Sequence, residues 1–317
     1  MPFDLPPALA GRLDELLAAS APRELERTAS ELSDRYRSGG HAPLGESEVR
    51  AYAAYRLPAT YAATAAAVEA VREQVPDWAP LTALDLGAGL GAATWAAASA
   101  WPSLQDVHAV DAAQAMLAFG RDAASALRPH VTWEHADLRR WRSSRSYDLV
   151  LVSYVLGELA EAEREALLAN AWSATGGLLL VVEPGTPDGY GRVIAARAGV
   201  IQAGGFTTAP CPHDRTCPML GTDWCHFAVR LPRSARHRAA KGAQLGYEDE
   251  KFSYVAASRS ETSRADARVV RHPQARRGHV YLELCAGAGL RTELVSKRDG
   301  ETYRRARKAA WGDSFDS

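Results

Sequence analysis

Leu81-Thr-Ala-Leu-Asp85-Leu86-Gly87-Ala-Gly89-Leu-Gly91 decides the fold of this 317-residue chain. The apolar run Leu81–Leu86 is a short buried strand, three glycines follow at alternate positions, and Ala92–Ala100 then has helical character. A strand entering a helix N-terminus through a glycine turn forms a nucleotide cradle. Glycine accepts positive φ, its missing side chain lets a ligand approach the backbone, and the helix end attracts anionic groups. Asp85 stands two residues before the first glycine, and the next strand, Val107–Val110, ends in Asp111. A carboxylate at that strand tip can accept both hydroxyls of a ribose. A glycine turn with no cofactor is the competing reading, and the two acids weigh against it.

The alternation continues beyond the turn. Ala112–Leu127 is helical, Val131–Glu134 is a strand, and Asp137 follows it where an adenine edge can be met. Tyr147–Ser153 is a strand, Glu158–Ala174 a helix, Gly177–Glu183 a strand and Gly189–Ala203 a helix. Strands alternating with helices over this length predict an α/β fold with a doubly wound parallel sheet. Asp85-x-Gly87-x-Gly89-x-Gly91 departs from the G-x-G-x-x-G of dinucleotide oxidoreductases and resembles the first motif of the class I methyltransferases. The resemblance covers about residues 81–185. It implies a Rossmann-like core that binds S-adenosylmethionine (SAM) through Asp85, Gly87, Gly89, Gly91, Asp111, Asp137 and Ser153.

Ahead of this core, residues 6–38 carry Leu13, Leu16, Leu17, Leu25, Ala29 and Leu32 at helical spacing, ended by Gly39-Gly40. A second helical stretch, 47–75, holds Tyr52, Tyr55 and Tyr61 and must be divided or kinked at Pro58. The expected organisation is a helical extension over 1–80, the SAM-binding core over 81–205, and a segment over 206–317 with a cysteine-rich metal-binding insertion, the last strands and a basic tail.

The insertion is Pro210-Cys211-Pro-His213-Asp-Arg-Thr-Cys217-Pro-Met-Leu-Gly-Thr-Asp-Trp-Cys225-His226-Phe227. The fourth cysteine, Cys285, lies 60 positions beyond Cys225, and the chain has no other. Four thiolates are the complement of one tetrahedral zinc or one iron–sulfur cluster. Structural zinc favours tight C-x2-4-C pairs, whereas five and seven residues separate the first three cysteines here. Spacing leaves a four-iron cluster and zinc as open alternatives. His213 and His226 are candidate substitute ligands, more simply read as loop histidines bonded to backbone.

Beyond the insertion the chain is β-rich, with strands at Phe227–Leu231, Phe252–Ala257, Gly278–Cys285 and Arg291–Ser296, and a helix expected over Arg233–Lys241. Ala286-Gly-Ala-Gly289 imitates a cofactor loop but is followed by strand-like alternation, so it is a hairpin turn. Residues 227–317 hold 19 Lys and Arg against 11 Asp and Glu, while the first 226 hold 18 against 27. A basic end on an acidic body fits an anionic partner, nucleic acid being the commonest; solvated arginines are the plain alternative. Arg298, Arg304, Arg305, Arg307 and Lys308 beside Tyr303 and Trp311 are candidate RNA contacts, combining cations with rings that can stack on bases.

The composition, 47% hydrophobic and 24% charged, is that of a globular protein. No apolar run approaches the ~20 residues needed to span a bilayer. Met-Pro-Phe-Asp-Leu carries no basic leader, so a cytoplasmic protein without membrane association, monomeric when free, is expected.

Ser30–Tyr36, Tyr55–Tyr61, Ser153–Leu159, Pro210–His213, Asp223–Phe227 and Arg307-Lys308 together resemble the methyltransferase-like assembly factors of the mitochondrial small ribosomal subunit and their bacterial relatives. That resemblance implies a [4Fe–4S] cluster on Cys211, Cys217, Cys225 and Cys285, and binding to small-subunit rRNA during assembly. Catalytic residues are unassigned. The amine-holding Asp/Asn-Pro-Pro-aromatic motif is replaced by Ser153-Tyr154-Val155-Leu156, all four cysteines are committed to metal, and Tyr154 and Glu158 are better read as structural. Two functions stay open: an assembly or translation factor that binds SAM without methyl transfer, and an active SAM-dependent methyltransferase modifying rRNA or another small-subunit component.

Overall fold

The computed structural model describes residues 3–37, 45–233, 238 and 244–316. The expected break at Gly39-Gly40 and nearly all of the helix expected over 233–241 lie outside them. Two helices, α1 (Pro7–Leu16) and α2 (Pro22–Arg37), precede α3 (Glu46–Tyr55) and α4 (Leu57–Arg72). Pro58 stands in the first turn of α4, where its missing N–H costs nothing, so it divides the two helices at Arg56.

The core alternates β1 (Thr82–Leu86), α5 (Ala92–Ala100), β2 (Asp106–Asp111), α6 (Gln114–Ala123), β3 (His130–His135), β4 (Tyr147–Ser153), α7 (Glu161–Ala174), β5 (Thr175–Pro184), α8 (Pro187–Gln202) and β6 (Phe206–Ala209). After it come β7 (Phe227–Pro232) and β8 (Tyr247–Ser258). The main sheet has the order β3-β2-β1-β4-β5-β8-β6, with β7 paired to the first half of β8. β1 to β5 run parallel, and β8 inserts antiparallel between β5 and β6. This is the doubly wound, mainly parallel α/β sheet expected from the sequence.

Side chains alternate across the strands, which divides the core into two layers. Ala83, Leu149, Leu151, Leu180 and Val182 face α4 and α5. Leu84, Leu86, Val150, Val152, Leu179 and Val181 face α7 and α8. Asp148 anchors the entry to β1, its Oδ2 accepting from the N–H groups of Leu81 and Thr82 at 2.9 Å each. The N-terminal helices bury Leu9, Leu13, Leu25 and Val49 against Trp95 of α5 and Met116 of α6, closing over the end of the sheet that carries the glycine turn.

The chain ends in a second, five-stranded sheet of β9 (Ala267–Val269), β10 (Gln274–Arg276), β11 (His279–Ala286), β12 (Gly289–Ser296) and β13 (Ser314–Phe315), with α9 (Gly300–Ala306) packed on it. Ala286–Gly289 is the hairpin turn between β11 and β12, as the sequence predicts. Val280, Leu282 and Leu284 form this sheet's own core, while Cys285 projects from the opposite face. No helix among the described residues is long and apolar enough to cross a membrane.

Candidate cofactor cleft and cysteine cavity

Gly87, Gly89 and Gly91 take φ values of 78°, 52° and 83°, the left-handed region that other residues enter at a cost. A β carbon on Gly87 would lie 2.5 Å from Val155, and one on Gly91 2.7 Å from the Trp133 ring. At Gly89 the nearest atom would be the Met116 terminal methyl at 3.9 Å, so the space before this glycine is open. Asp111 fixes the turn, Oδ2 accepting from Gly89 N–H at 2.8 Å and Oδ1 from Ala113 N–H at 2.7 Å. Burial raises the Asp111 pKa against those bonds.

Asp85 is buried beneath the turn. Its Oδ2 accepts from the Thr94 backbone at 3.0 Å and hydroxyl at 2.7 Å, while Oδ1 is buried with no partner among the described residues. Burial pushes the carboxyl up to about 6, opposed by the two Thr94 bonds and reinforced by Asp111. A buried carboxylate oxygen without a donor is an acceptor held ready for a ligand or a water. Glu158, in a short 3-10 turn after β4, lies within reach of the charges of Asp111 and Glu183. Crowding, then the charges of Asp111 and Glu183, push it up to about 7, although its side chain still meets solvent, which moderates the shift.

Two other expected cofactor residues have partners within the protein. Asp137 follows β3 and forms a two-pronged ion pair with Arg139, 2.8 Å and 2.7 Å, that lowers its pKa to about 2. The Ser153 hydroxyl is buried against Thr64 of α4 at 3.0 Å, so that side chain is taken up by helix packing. Tyr154 has φ 58°, its hydroxyl donates to Glu250 Oε1 at 3.1 Å, and Arg56 pairs with the same oxygen at 3.0 Å while lying over the ring. Sequence reading missed Arg56 and Glu250, which are 194 positions apart and meet only because β8 inserts beside β5.

Cys211, Cys217, Cys225 and Cys285 line one cavity, closed on its other sides by Tyr190, Met219 and Val270. All four are free thiols. Cys211 follows β6, Cys217 and Cys225 precede β7, and Cys285 arrives from β11. Asp214 shapes the loop by accepting from the Thr207 N–H and from Arg264 at 2.8 Å and 2.7 Å. The Tyr190 hydroxyl donates to Cys217 Sγ at 3.3 Å. Burial raises Cys225 well above the ordinary thiol value and Cys285 to about 12, each reinforced by the neighbouring cysteines. The metal-ligand set expected of the insertion is not closed, however. Among the described residues no three His, Cys, Asp or Glu side chains are arranged to hold one metal ion. His226 bonds the Trp224 carbonyl through Nδ1 at 3.2 Å and stacks on Trp224, as a loop histidine does.

The expected RNA contacts are exposed but not equivalent. Arg304 pairs with Glu301 at 2.6 Å, and Arg305 bonds the Asp316 carbonyl and lies over Phe315, tying down the chain end. Among the described residues Arg298, Arg307 and Lys308 form no ion pair.

Comparison with known proteins places this architecture. The chain is 31% identical over 285 residues to the human mitochondrial ribosome assembly protein METTL17, covering 83% of this chain and 61% of that protein. It is 31% identical over 219 residues to the mitochondrial Rsm22-cox11 tandem protein 2 of Schizosaccharomyces pombe, 54% of this chain and 29% of that one. The chain thus spans under two thirds of either relative's length. Among solved structures, magnesium protoporphyrin IX methyltransferase of Synechocystis with bound SAM aligns at a TM-score of 0.42 and 15% identity, over 77% of this chain and 99% of that one. The cytoplasmic expectation is overturned here, because both relatives are named as mitochondrial proteins and the matching family is described by the mitochondrial small ribosomal subunit. That family model, described as mitochondrial small ribosomal subunit Rsm22, matches residues 46–316, and the chain belongs to the Rsm22 family.

Proposed function

We propose that the chain binds SAM in the glycine-turn cleft and serves the small ribosomal subunit as an assembly factor. In this reading Cys211, Cys217, Cys225 and Cys285 hold a [4Fe–4S] cluster, and the basic C-terminal segment contacts rRNA. The observation that carries the SAM reading is the buried, unpartnered Oδ1 of Asp85 beside the open face of Gly89. Asp111 accepts the ribose hydroxyls, Gly87 and Gly91 keep the turn tight, and Asp85 faces the positive end of the ligand. Four thiols lining one cavity with no other acidic ligand suit a thiolate-bound centre. The wide sequence spacing, five and seven residues between the first three cysteines, favours the cluster over a single zinc, whose structural sites favour tight C-x2-4-C pairs.

Methyl transfer is absent in this reading. Tyr154 is engaged by Glu250 and Arg56, and the β4 end carries no proline pair to hold an acceptor amine. The alternative is an active methyltransferase, with Glu158 in the turn after β4 as the candidate proton acceptor, its pKa raised by burial and by the charges of Asp111 and Glu183.

Calorimetry should detect SAM binding that Gly89→Arg abolishes, because the new side chain fills the only open face of the turn. Equal affinity in the variant removes the cleft assignment. Incubating immature small subunits with protein and methyl-labelled SAM separates the two readings: particle binding without label identifies the assembly factor, and label on rRNA or protein identifies the enzyme.

A further inference from the structure

Two arginines share the wall of the cysteine cavity. Arg197 comes from α8 and is 5% exposed; Arg268 comes from β9 and is 3% exposed. Arg197 donates to the carbonyls of His213 and Arg215 at 2.6 Å and 2.8 Å, and its Nε is buried with no partner among the described residues. Arg268 donates to the carbonyls of Pro210 and Gly312 at 3.1 Å and 3.0 Å. All four acceptors are neutral. Among the described residues neither guanidinium has a carboxylate in an ion pair; Glu73 feels the charge of Arg268 without pairing with it. Buried guanidiniums are ordinarily paired, because carbonyls satisfy their N–H groups but not their charge.

What faces the two charges is sulfur. β9 and β11 pair Arg268 directly with Cys285, so both side chains leave the same face of the sheet. Arg197 approaches from the other side, where its two carbonyl partners flank Asp214 in the loop between Cys211 and Cys217. Four thiolates around a dipositive centre leave about two net negative charges, for a zinc ion and for an oxidised four-iron cluster alike. Two buried positive charges without a counterion match that remainder.

We infer that Arg197 and Arg268 are the counter-charges of a four-thiolate centre, positioning residues that retain it in a dry cavity and set its redox level. This rests on the reading above that the four cysteines hold a metal centre. The two arginines act together. Arg197 holds the loop between the first two cysteines, and Arg268 clamps Pro210, next to Cys211, to the sheet that carries Cys285.

The test uses the full chain, wild type and Arg197→Met, Arg268→Met and the corresponding Lys variants, reconstituted anaerobically with ferrous iron and sulfide. Iron per chain, circular dichroism and the midpoint potential are recorded for each. Removing a positive charge makes adding an electron to a negative centre harder. Each Met variant should therefore move the reduced-to-oxidised ratio at least about tenfold toward oxidised, about 59 mV for a one-electron couple. The Lys variants should recover most of that shift. A wild type that takes up neither iron nor zinc overturns the underlying metal reading. Met variants that load fully at the wild-type potential overturn only the role of the arginines, as do folded Lys variants that behave like Met. If the centre is zinc, release to a chelator replaces the potential as readout: at least tenfold faster loss from the Met variants is expected, and an unchanged rate counts against the inference.

Discussion

Asp111 and Gly89 hold each other, the carboxylate accepting the glycine N–H at 2.8 Å across the mouth of the cleft. The acid that orders the turn in the free protein is thus the one proposed to meet the ribose. Asp111→Asn keeps the shape but loses the charge-assisted bonds, roughly 1.5–3 kcal/mol for such contacts. SAM affinity by calorimetry should fall about 10- to 100-fold. An undiminished affinity would remove Asp111 from the site.

Gly91→Ala should destabilise the fold rather than block the cleft. Its β carbon would stand 2.7 Å from the rigid Trp133 ring and its φ is 83°. Strain and overpacking together predict a loss of about 2–4 kcal/mol in chemical denaturation. Gly89→Arg, with its side chain in open space, should cost only the left-handed backbone, about 1–2 kcal/mol. Equal losses at the two positions would contradict the asymmetry between them.

Asp85 makes stability and ligand binding oppose each other with pH. Burial holds its folded pKa at about 6, above the ordinary aspartate value of about 3.8, so protonation favours the folded chain. That stabilisation is complete below about pH 3.8 and is lost as pH rises through about 6, a difference on the order of 3 kcal/mol. SAM, whose amino and sulfonium groups are cationic, prefers the ionised form, so its affinity should rise between pH 5 and 7. Asp85→Asn should flatten both curves in urea unfolding and in calorimetry. A wild-type affinity independent of pH across that range would show that Asp85 does not face the ligand.

Cys285→Ser should lower bound iron and loosen the second sheet, because Cys285 joins that sheet to the loop after β6. Limited proteolysis beyond residue 258 should quicken, and the brown colour of anaerobically purified protein should fade. Colourless wild type carrying one zinc would exclude the cluster.

Arg298, Arg307 and Lys308 should carry more of any RNA contact than Arg304 and Arg305, which hold Glu301 and the chain end. Replacing the first three with alanine should reduce the slope of log affinity against log salt by about 0.7 to 0.9 for each lost phosphate contact. Small-subunit association that keeps its salt dependence in the triple variant would leave these side chains a solvated face.

The turn and the parallel strands were legible because glycines, buried apolar runs and acidic strand tips are local signals. Boundaries blurred where locality fails. Only Phe252–Ala257 of β8 was read, since Tyr247–Lys251 is too charged to look like a strand, yet it pairs fully with β7. The helix expected from Glu158 begins at Glu161, because Leu156–Glu158 closes as a separate 3-10 turn. The site was legible by chemistry and not by contact. Nothing near Ser153 announces Thr64, and nothing near the cysteines announces Arg197 or Arg268, whose partners are set by the packing of α8 and of the second sheet on the loop. Compartment was the least legible property: an amino-terminal reading supported the cytoplasm, and only relatives overturned it.

The pairing of Arg268 with Cys285 also bears on when the cavity can exist. Every strand of the larger sheet has been made by Ser258, but the cavity then lacks one thiol and one guanidinium. The 60 positions from Cys225 to Cys285 take roughly 3 to 12 s to synthesise at the usual 5–20 residues per second. A chain released early from its ribosome carries the glycine-turn cleft without the finished thiol pocket, so retention of the proposed metal centre would distinguish full-length product from abortive fragments.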